Sequence, residues 1–437
     1  MTASPRRRRE VLAALRRGTV PANGLDLLAV GLDRFVPALD ADLDTVAGGG
    51  SAFKAVRGEY GAGKTFLTRF LAERALRRGF AAAEVQISET ETPLHRLETV
   101  YRRIGEALRT AAFPPSAFRP VLDSWLFTLE SDVASNEADP SAANAAVERL
   151  LARRLAAVST RAPAFAQALR AYRAATVAGD GATADALAAW LGGQPHVAAA
   201  AKRAAGVRGE LDHFGAMAFV QGLLEVLRDA GHPGLLLVLD EVETLQRVRG
   251  DVRDKALNAL RQLVDEIDSG RYPGLFLVIT GTPAFFEGPS GVPRLPPLAQ
   301  RLSTDFSTDP RFDNPRAVQL RLPGFDRRSL LTLGTRVRDL YREDAAEPQR
   351  IGATVDDAYL TELADSITGA LGGKVGVAPR IFLRKLVAEV LDRVDQFPDF
   401  DPRRDYPPTV SPAELTEIER NAASAPMSAG DVKLDLP

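Results

Sequence analysis

Eight consecutive residues, Gly58-Glu59-Tyr60-Gly61-Ala62-Gly63-Lys64-Thr65, fit the pattern G-x-x-x-x-G-K-[ST] without deviation. Glycines in such a run let the chain wrap closely enough for backbone N–H groups to point at phosphate oxygens. Lys64 is expected to bring a point charge to the β- and γ-phosphates of a bound nucleotide, and the Thr65 hydroxyl to ligate Mg²⁺. Phe66 follows directly and is grouped with the nucleotide-binding residues. The partner of such a loop is an acid at the end of a buried strand. Leu235-Leu236-Leu237-Val238-Leu239 runs straight into Asp240-Glu241. Asp240 is expected to hold Mg²⁺ through water, and Glu241 to polarise the attacking water. An Asp-Glu pair also suits a helix N-terminus, but its place after an apolar run favours the catalytic role. Glu243 reads as a solvated or capping residue. A second apolar run ends in Thr280-Gly281-Thr282-Pro283. Thr280, and after it Thr282, is expected to sense the γ-phosphate or orient the water. The competing account is a threonine that merely opens a turn.

These side chains need elements to hold them. Phe53 to Val56 reads as a short strand running into the loop, and Lys64 to Arg77 has helical periodicity in Phe66, Leu67, Phe70, Leu71 and Ala75. Ala82 to Ile87 reads as a strand and Leu94 to Leu108 as a helix. Leu235 to Leu239 and Leu275 to Ile279 are continuous apolar runs, which a strand buried on both faces of a parallel sheet requires. Val252 to Asp268 is long enough to be the crossover helix between them, and Ala317 to Leu322 reads as a last strand. Strand alternating with helix predicts an α/β fold. Upstream, Val11, Leu12 and Leu15 predict a helix over 6–17 that stops at Gly18, and a second spans Leu32 to Val46.

The resulting organisation has six segments: 1–50 an N-terminal helical segment, 51–109 the first half of the core, 110–212 a helical insertion rich in Ala, Leu and Arg, 213–325 the second half with the acidic strand, 326–400 a helical lid, and 401–437 a linker and small-polar tail.

Composition removes other chemistries. The 437 residues include no cysteine, which excludes disulfides, thiolate metal sites and cysteine nucleophiles. Four scattered histidines (His95, His196, His213, His232) make no convincing metal cluster. Lys and Arg total 55 against 57 Asp and Glu, so any nucleic-acid binding must rest on a local patch. The candidates are Arg6 to Arg9, whose plainer reading is a solvated face, and the set Arg327, Arg328, Arg336 and Arg338. The N-terminus has no signal-peptide core and no window is apolar for 18 residues, so no membrane association is expected and the cytoplasm is the default.

The layout resembles the AAA+ ATPases, particularly their origin-recognition and initiator-like branch. Val30-Gly31-Leu32-Asp33-Arg34 is similar to that family's N-terminal box near the adenine, although Leu32-Asp33 separates the glycine from Arg34. Gly376-Val377-Ala378-Pro379-Arg380 is similar to its second sensor, which implies that Arg380 reaches the γ-phosphate; Pro379 suits a first helical position. Arg301 stands where the family often places an arginine finger for a neighbouring subunit, which implies a homo-oligomer. Each arginine has a rival reading as a surface ion-pair partner. A nearer resemblance lies in VPANGLDLLAVGLDRF, FKAVRGEYGAGKTFLTRFLAE and VQLRLPGFDRRSLLTLGTRVRDLY, which look like the BrxC/BrxD-type P-loop ATP-binding proteins of BREX phage-defence systems, over most of 8–395. The size is similar to the smaller BrxD type.

The expectation is therefore an α/β AAA+ P-loop NTPase with a parallel sheet, a large helical insertion and a C-terminal helical lid. It would use Mg²⁺ and ATP, and couple turnover to assembly or remodelling of a defence complex with partner proteins of that system, on DNA if the arginine patches serve it. The alternative is a slow nucleotide-gated switch or scaffold. A small-molecule kinase comes third, because no phosphoacceptor motif is found.

Overall fold

The computed structural model describes residues 4–134, 140–370, 378–411 and 414. The chain divides into two compact units, one formed by Met1–Val36, Arg57–Glu73 and Arg321–Pro437, the other by Pro37–Val56 and Arg74–Leu320.

The unit Pro37–Val56 with Arg74–Leu320 is built on the sheet. Its strands are β1 (Ala52–Arg57), β2 (Ala81–Gln86), β3 (Leu235–Asp240), β4 (Leu275–Gly281) and β5 (Gln319–Arg321), in the order β2-β3-β4-β1-β5. β2 and β4 both run parallel to β3, with Gln86 opposite Asp240 and Leu239 opposite Ile279. Every residue of β3 and β4 is buried. These runs lack alternation because helices cover both faces of the sheet, and each leucine so buried stabilises the fold by about 1.5–3 kcal/mol. The α/β class with a parallel sheet is thus the class observed.

The crossover helix Gly250–Asp268 buries Ala256, Leu257, Leu260, Val264 and Ile267, the helical spacing that its position on the sheet demands. Helix His213–Asp229 is capped by Asp212, whose carboxylate accepts from Gly215 N at 2.7 Å. It carries Phe219, which meets Tyr101, Phe165 and Trp190 edge-on at centroid distances of 5.6, 5.1 and 5.2 Å. Through that cluster the inserted helices Phe118–Ala134, Pro140–Arg154, Ala156–Arg161, Pro163–Val177, Gly181–Leu191 and Ala199–Ala204 share the core of the sheet. The insertion also has a buried charge, Arg173, which donates to Glu130 at 3.0 Å and to Asn144 at 2.9 Å and pairs with Glu148.

Some boundaries differ from the sequence pattern. The helix expected from Leu32 begins at Val36, since Leu32 to Phe35 close a turn in which Phe35 N donates to Leu32 O at 2.9 Å. The helix expected from Leu94 is Leu97–Ala107, because the turn after Pro93 (Arg96 N to Pro93 O, 2.9 Å) precedes it. The expected last strand shortens to β5.

The other unit is helical. Helix Pro5–Arg16 opens on Ser4 as N-cap with proline at the first turn. Its Val11, Leu12 and Leu15 enter one core with Leu330, Leu333 and Val337 of helix Arg327–Arg342, Leu360, Leu363 and Ile367 of helix Asp357–Ala370, and Ile381 and Phe382 of helix Ala378–Arg384. The N-terminal helix is therefore part of the C-terminal helical body. Arg8 is buried and pairs with Glu343 and Asp344, and Arg7 pairs with Asp26 and Glu73. Arg6 pairs with Glu10 at 2.9 Å. Arg327 pairs with Asp365, Arg336 donates to Ala29 O, and Arg338 is buried against Asp339 and Asp357. Arg7, Arg8 and Arg338 are thus held by carboxylates of this unit and Arg338 does not lie on an exposed face, whereas Arg6, Arg9, Arg327, Arg328 and Arg336 stay exposed. Residues 402–405 of the expected linker form a short helix. Among the described residues no helix is long and apolar enough to cross a membrane.

Candidate functional site

The loop Gly58–Thr65 joins β1 to helix Lys64–Arg77 and lies in the helical unit. Gly63 has φ of +91°, a conformation that suits glycine. A Cβ on Gly58 would stand 3.2 Å from Ala62 Cβ and 3.3 Å from Leu322 Cβ, so the loop closes tightly there. Leu67 N bonds to Gly63 O at 2.9 Å, which starts the helix at the loop and turns its positive end towards it. Lys64 is buried. Its Nζ donates to Gly58 O at 2.8 Å and Glu59 O at 3.1 Å, and stands 5.2 Å from the Tyr60 ring centroid. The loop thus curls around its own lysine.

Other predicted residues of this unit gather near the loop or on the lid. Arg34 donates to Arg321 O at 3.3 Å, and the next residue, Leu322, donates from its N to Arg57 O at 2.8 Å beside the loop. Phe66 is partly buried against the helical core. Arg380 lies in the first turn of helix Ala378–Arg384 and donates to Glu414 O at 2.9 Å. Gly376 and Val377 of its motif lie outside the described residues, as does the tail beyond Ser411 apart from Glu414. Glu414 itself is ion-paired with Arg384 and with Lys385 at 2.8 Å. The small-polar composition of the tail gave no sign of that anchor. Glu73 was also missed: this buried carboxylate of the loop's helix accepts from Gly24 N at 3.0 Å and Leu25 N at 2.9 Å.

The acidic constellation belongs to the sheet unit. Asp240 ends β3, buried, and Oδ1 accepts from Glu241 N at 3.1 Å and from the Thr280 hydroxyl. Thr280 Oγ1 in turn accepts from Glu241 N at 3.1 Å. Glu241 has φ of +59° and ψ of +42°, left-handed for a residue with a side chain. Such strain costs about 1–3 kcal/mol and persists only where the surroundings impose it. Its Oε2 accepts from Gln86 Nε2 at 2.9 Å. Gln86 is not among the residues the sequence singles out, because only the parallel register of β2 and β3 sets it opposite Asp240. Thr282 is buried before helix Pro283–Glu287 and uses its carbonyl to receive Phe285 N at 3.0 Å. Glu243, expected at the surface, is buried, because the 3₁₀ turn Val242–Gln246 carries it inward. Arg301 is half-exposed and paired with Asp265 at 2.8 Å.

The chemistry available is that of a polyphosphate site. In the helical unit the loop offers the Thr65 hydroxyl, and in the sheet unit β3 ends in the Asp240 carboxylate, both hard oxygens of the kind Mg²⁺ takes. Among the described residues no three carboxylates or histidines gather into a metal cluster, and a cation carried in with phosphates needs none.

Among solved structures the chain is similar to the Aeropyrum pernix ORC2 protein, determined as ADPNP–ADP complexes, at 13% identity over 81% of this chain and 66% of that chain, with a TM-score of 0.34. No curated protein matches the sequence. The family described as BREX system ATP-binding protein BrxC/D matches residues 3–409. A match over nearly the whole length, loop and acidic strand included, shows that the chain belongs to the BrxC/D family of BREX system ATP-binding proteins.

Proposed function

We propose that this chain is an ATPase: it binds Mg·ATP on the loop Gly58–Thr65 and hydrolyses it with Glu241 as general base. Asp240 and Thr65 serve the metal, and Arg34 and Arg380 serve the nucleotide. The observation that carries this reading is the conformation of Glu241. A left-handed backbone on a residue with a side chain is strain of the kind that clusters at functional sites, and here it falls on a carboxylate just beyond the end of a buried strand. Lys64 and the helix N-terminus supply the charge that polyphosphate requires.

The work coupled to turnover is assembly or remodelling of a BREX defence complex, a reading that family membership supports. A partner protein of the same system is favoured by family membership, and Arg7, Arg8 and Arg338, held by carboxylates of the chain itself, are withdrawn from any DNA contact. A slow nucleotide-gated switch is the second reading. Lys64 turned onto its own loop and Glu241 bonded to Gln86 favour it, since both must rearrange before chemistry. Steady-state phosphate release, measured with and without duplex DNA, tests the proposal. Sustained Lys64-dependent release supports an ATPase, stimulation by DNA would restore the nucleic-acid version, and ATP binding without release would leave the switch.

A further inference from the structure

Thr280 is the penultimate residue of β4, with none of its surface exposed. A hydroxyl has one proton to give. Here that proton goes to Asp240 Oδ1, and a lone pair receives Glu241 N at 3.1 Å. Glu241 N also reaches Asp240 Oδ1 at 3.1 Å, so the three residues close a small ring of bonds from β4 to the end of β3. The strand register prepares it: Leu239 stands opposite Ile279, and Asp240 and Thr280 are the next residues on each strand. A group that is buried, with its only proton already donated, is poorly placed to read a phosphate or hold a water.

We propose that Thr280 is a positioning residue, which holds the left-handed backbone of Glu241 and the carboxylate of Asp240 from the neighbouring strand and touches neither nucleotide nor attacking water. The inference rests on the hydrolytic reading for what that positioning achieves. Without the hydroxyl, Glu241 N–H loses an acceptor, Asp240 loses a donor, and the left-handed turn relaxes towards ordinary geometry, moving the base. A phosphate sensor would instead distinguish ATP from ADP.

The test compares Thr280→Val, which keeps the shape and removes the hydroxyl, with Thr280→Ser, which keeps the hydroxyl, each made alone and with Glu241→Gln. Thr280→Val should lower kcat by about tenfold or more while leaving ATP and ADP affinities alike within about twofold, and Thr280→Ser should restore most of the rate. Combined with Glu241→Gln, Thr280→Val should cost clearly less than it does alone, because one of the two residues it positions is already disabled. Hydrogen exchange at the Glu241 amide should be faster in Thr280→Val. ATP affinity falling while ADP affinity holds, or losses that multiply in the double variant, would overturn the proposal. Should Thr280→Val fail to give a cooperative melt, Thr280→Ala and the amide exchange of Thr280→Ser decide the same question. If Glu241→Gln alone keeps full turnover, it is the hydrolytic reading that fails, and Glu241 amide exchange still reports on Thr280.

Discussion

Gln86 Nε2 donates to Glu241 Oε2 at 2.9 Å, from the last residue of β2 to the residue just beyond β3. The bond ties the proposed base to the edge of the sheet, and the carboxylate must leave it to approach a water. Gln86→Ala removes that restraint without touching the loop. Turnover is expected to rise by up to about tenfold with KM little changed, the scale of one hydrogen bond to a charged group. Steady-state kinetics check this, and a fall in kcat would show that Gln86 assists the reaction.

Lys64→Ala should abolish tight ATP binding. On the proposed reading, the ammonium now bonded to Gly58 O and Glu59 O is to offset phosphate repulsion. Isothermal titration of the variant should show no ATP binding at concentrations that saturate the native chain. Unchanged affinity would remove the loop from the account.

Arg301 offers a test of assembly. Its pair with Asp265 is half-exposed, and such pairs contribute little and exchange readily. If Arg301 reaches a neighbour's nucleotide, activity per chain rises with protein concentration. Mixing Arg301→Ala with Glu241→Gln chains then rebuilds one intact interface and recovers activity. Flat specific activity and a dead mixture would leave Arg301 as a surface ion-pair residue.

Acid should loosen the helical unit. The Arg8 hydrogen bond holds the Asp344 carboxyl below its ordinary range, backbone bonding from Tyr359 does the same for Asp356, and Arg327 does so for Asp365. A carboxyl depressed in the folded state contributes stability that is complete above its unfolded value and lost as pH falls through the folded one. Urea midpoints should therefore hold steady near neutrality and decline below about pH 4, where unperturbed aspartates begin to protonate. Asp344→Asn should flatten part of that decline, and an unaltered acid limb would deny the pair a role.

Much of this architecture is legible in the sequence because it is local. Lys64 to Arg77 is the helix its periodicity predicts, and LLLVL and LFLVI could only be strands covered on both sides. What escaped detection depends on partners far along the chain. Arg8 looks like one member of a basic run, yet Asp344 lies 336 residues away and makes it a buried ion pair. Gln86 gains meaning only when register sets it opposite Asp240, and Glu73 only when Gly24 and Leu25 bring their N–H groups to it. Polar side chains of this kind are defined by what folding brings to them, and hydrophobic spacing carries no record of it.

The most direct test of hydrolysis at Glu241 is phosphate release by Glu241→Gln beside the native chain, with ATP binding titrated on the same preparations. The substitution keeps the shape of the side chain and removes its capacity to take a proton from water. Binding should be retained while release falls by about 10²–10⁴, the worth of a positioned base. Undiminished release with normal binding would mean that the base lies elsewhere and that Glu241 is no more than the cap of the turn it begins.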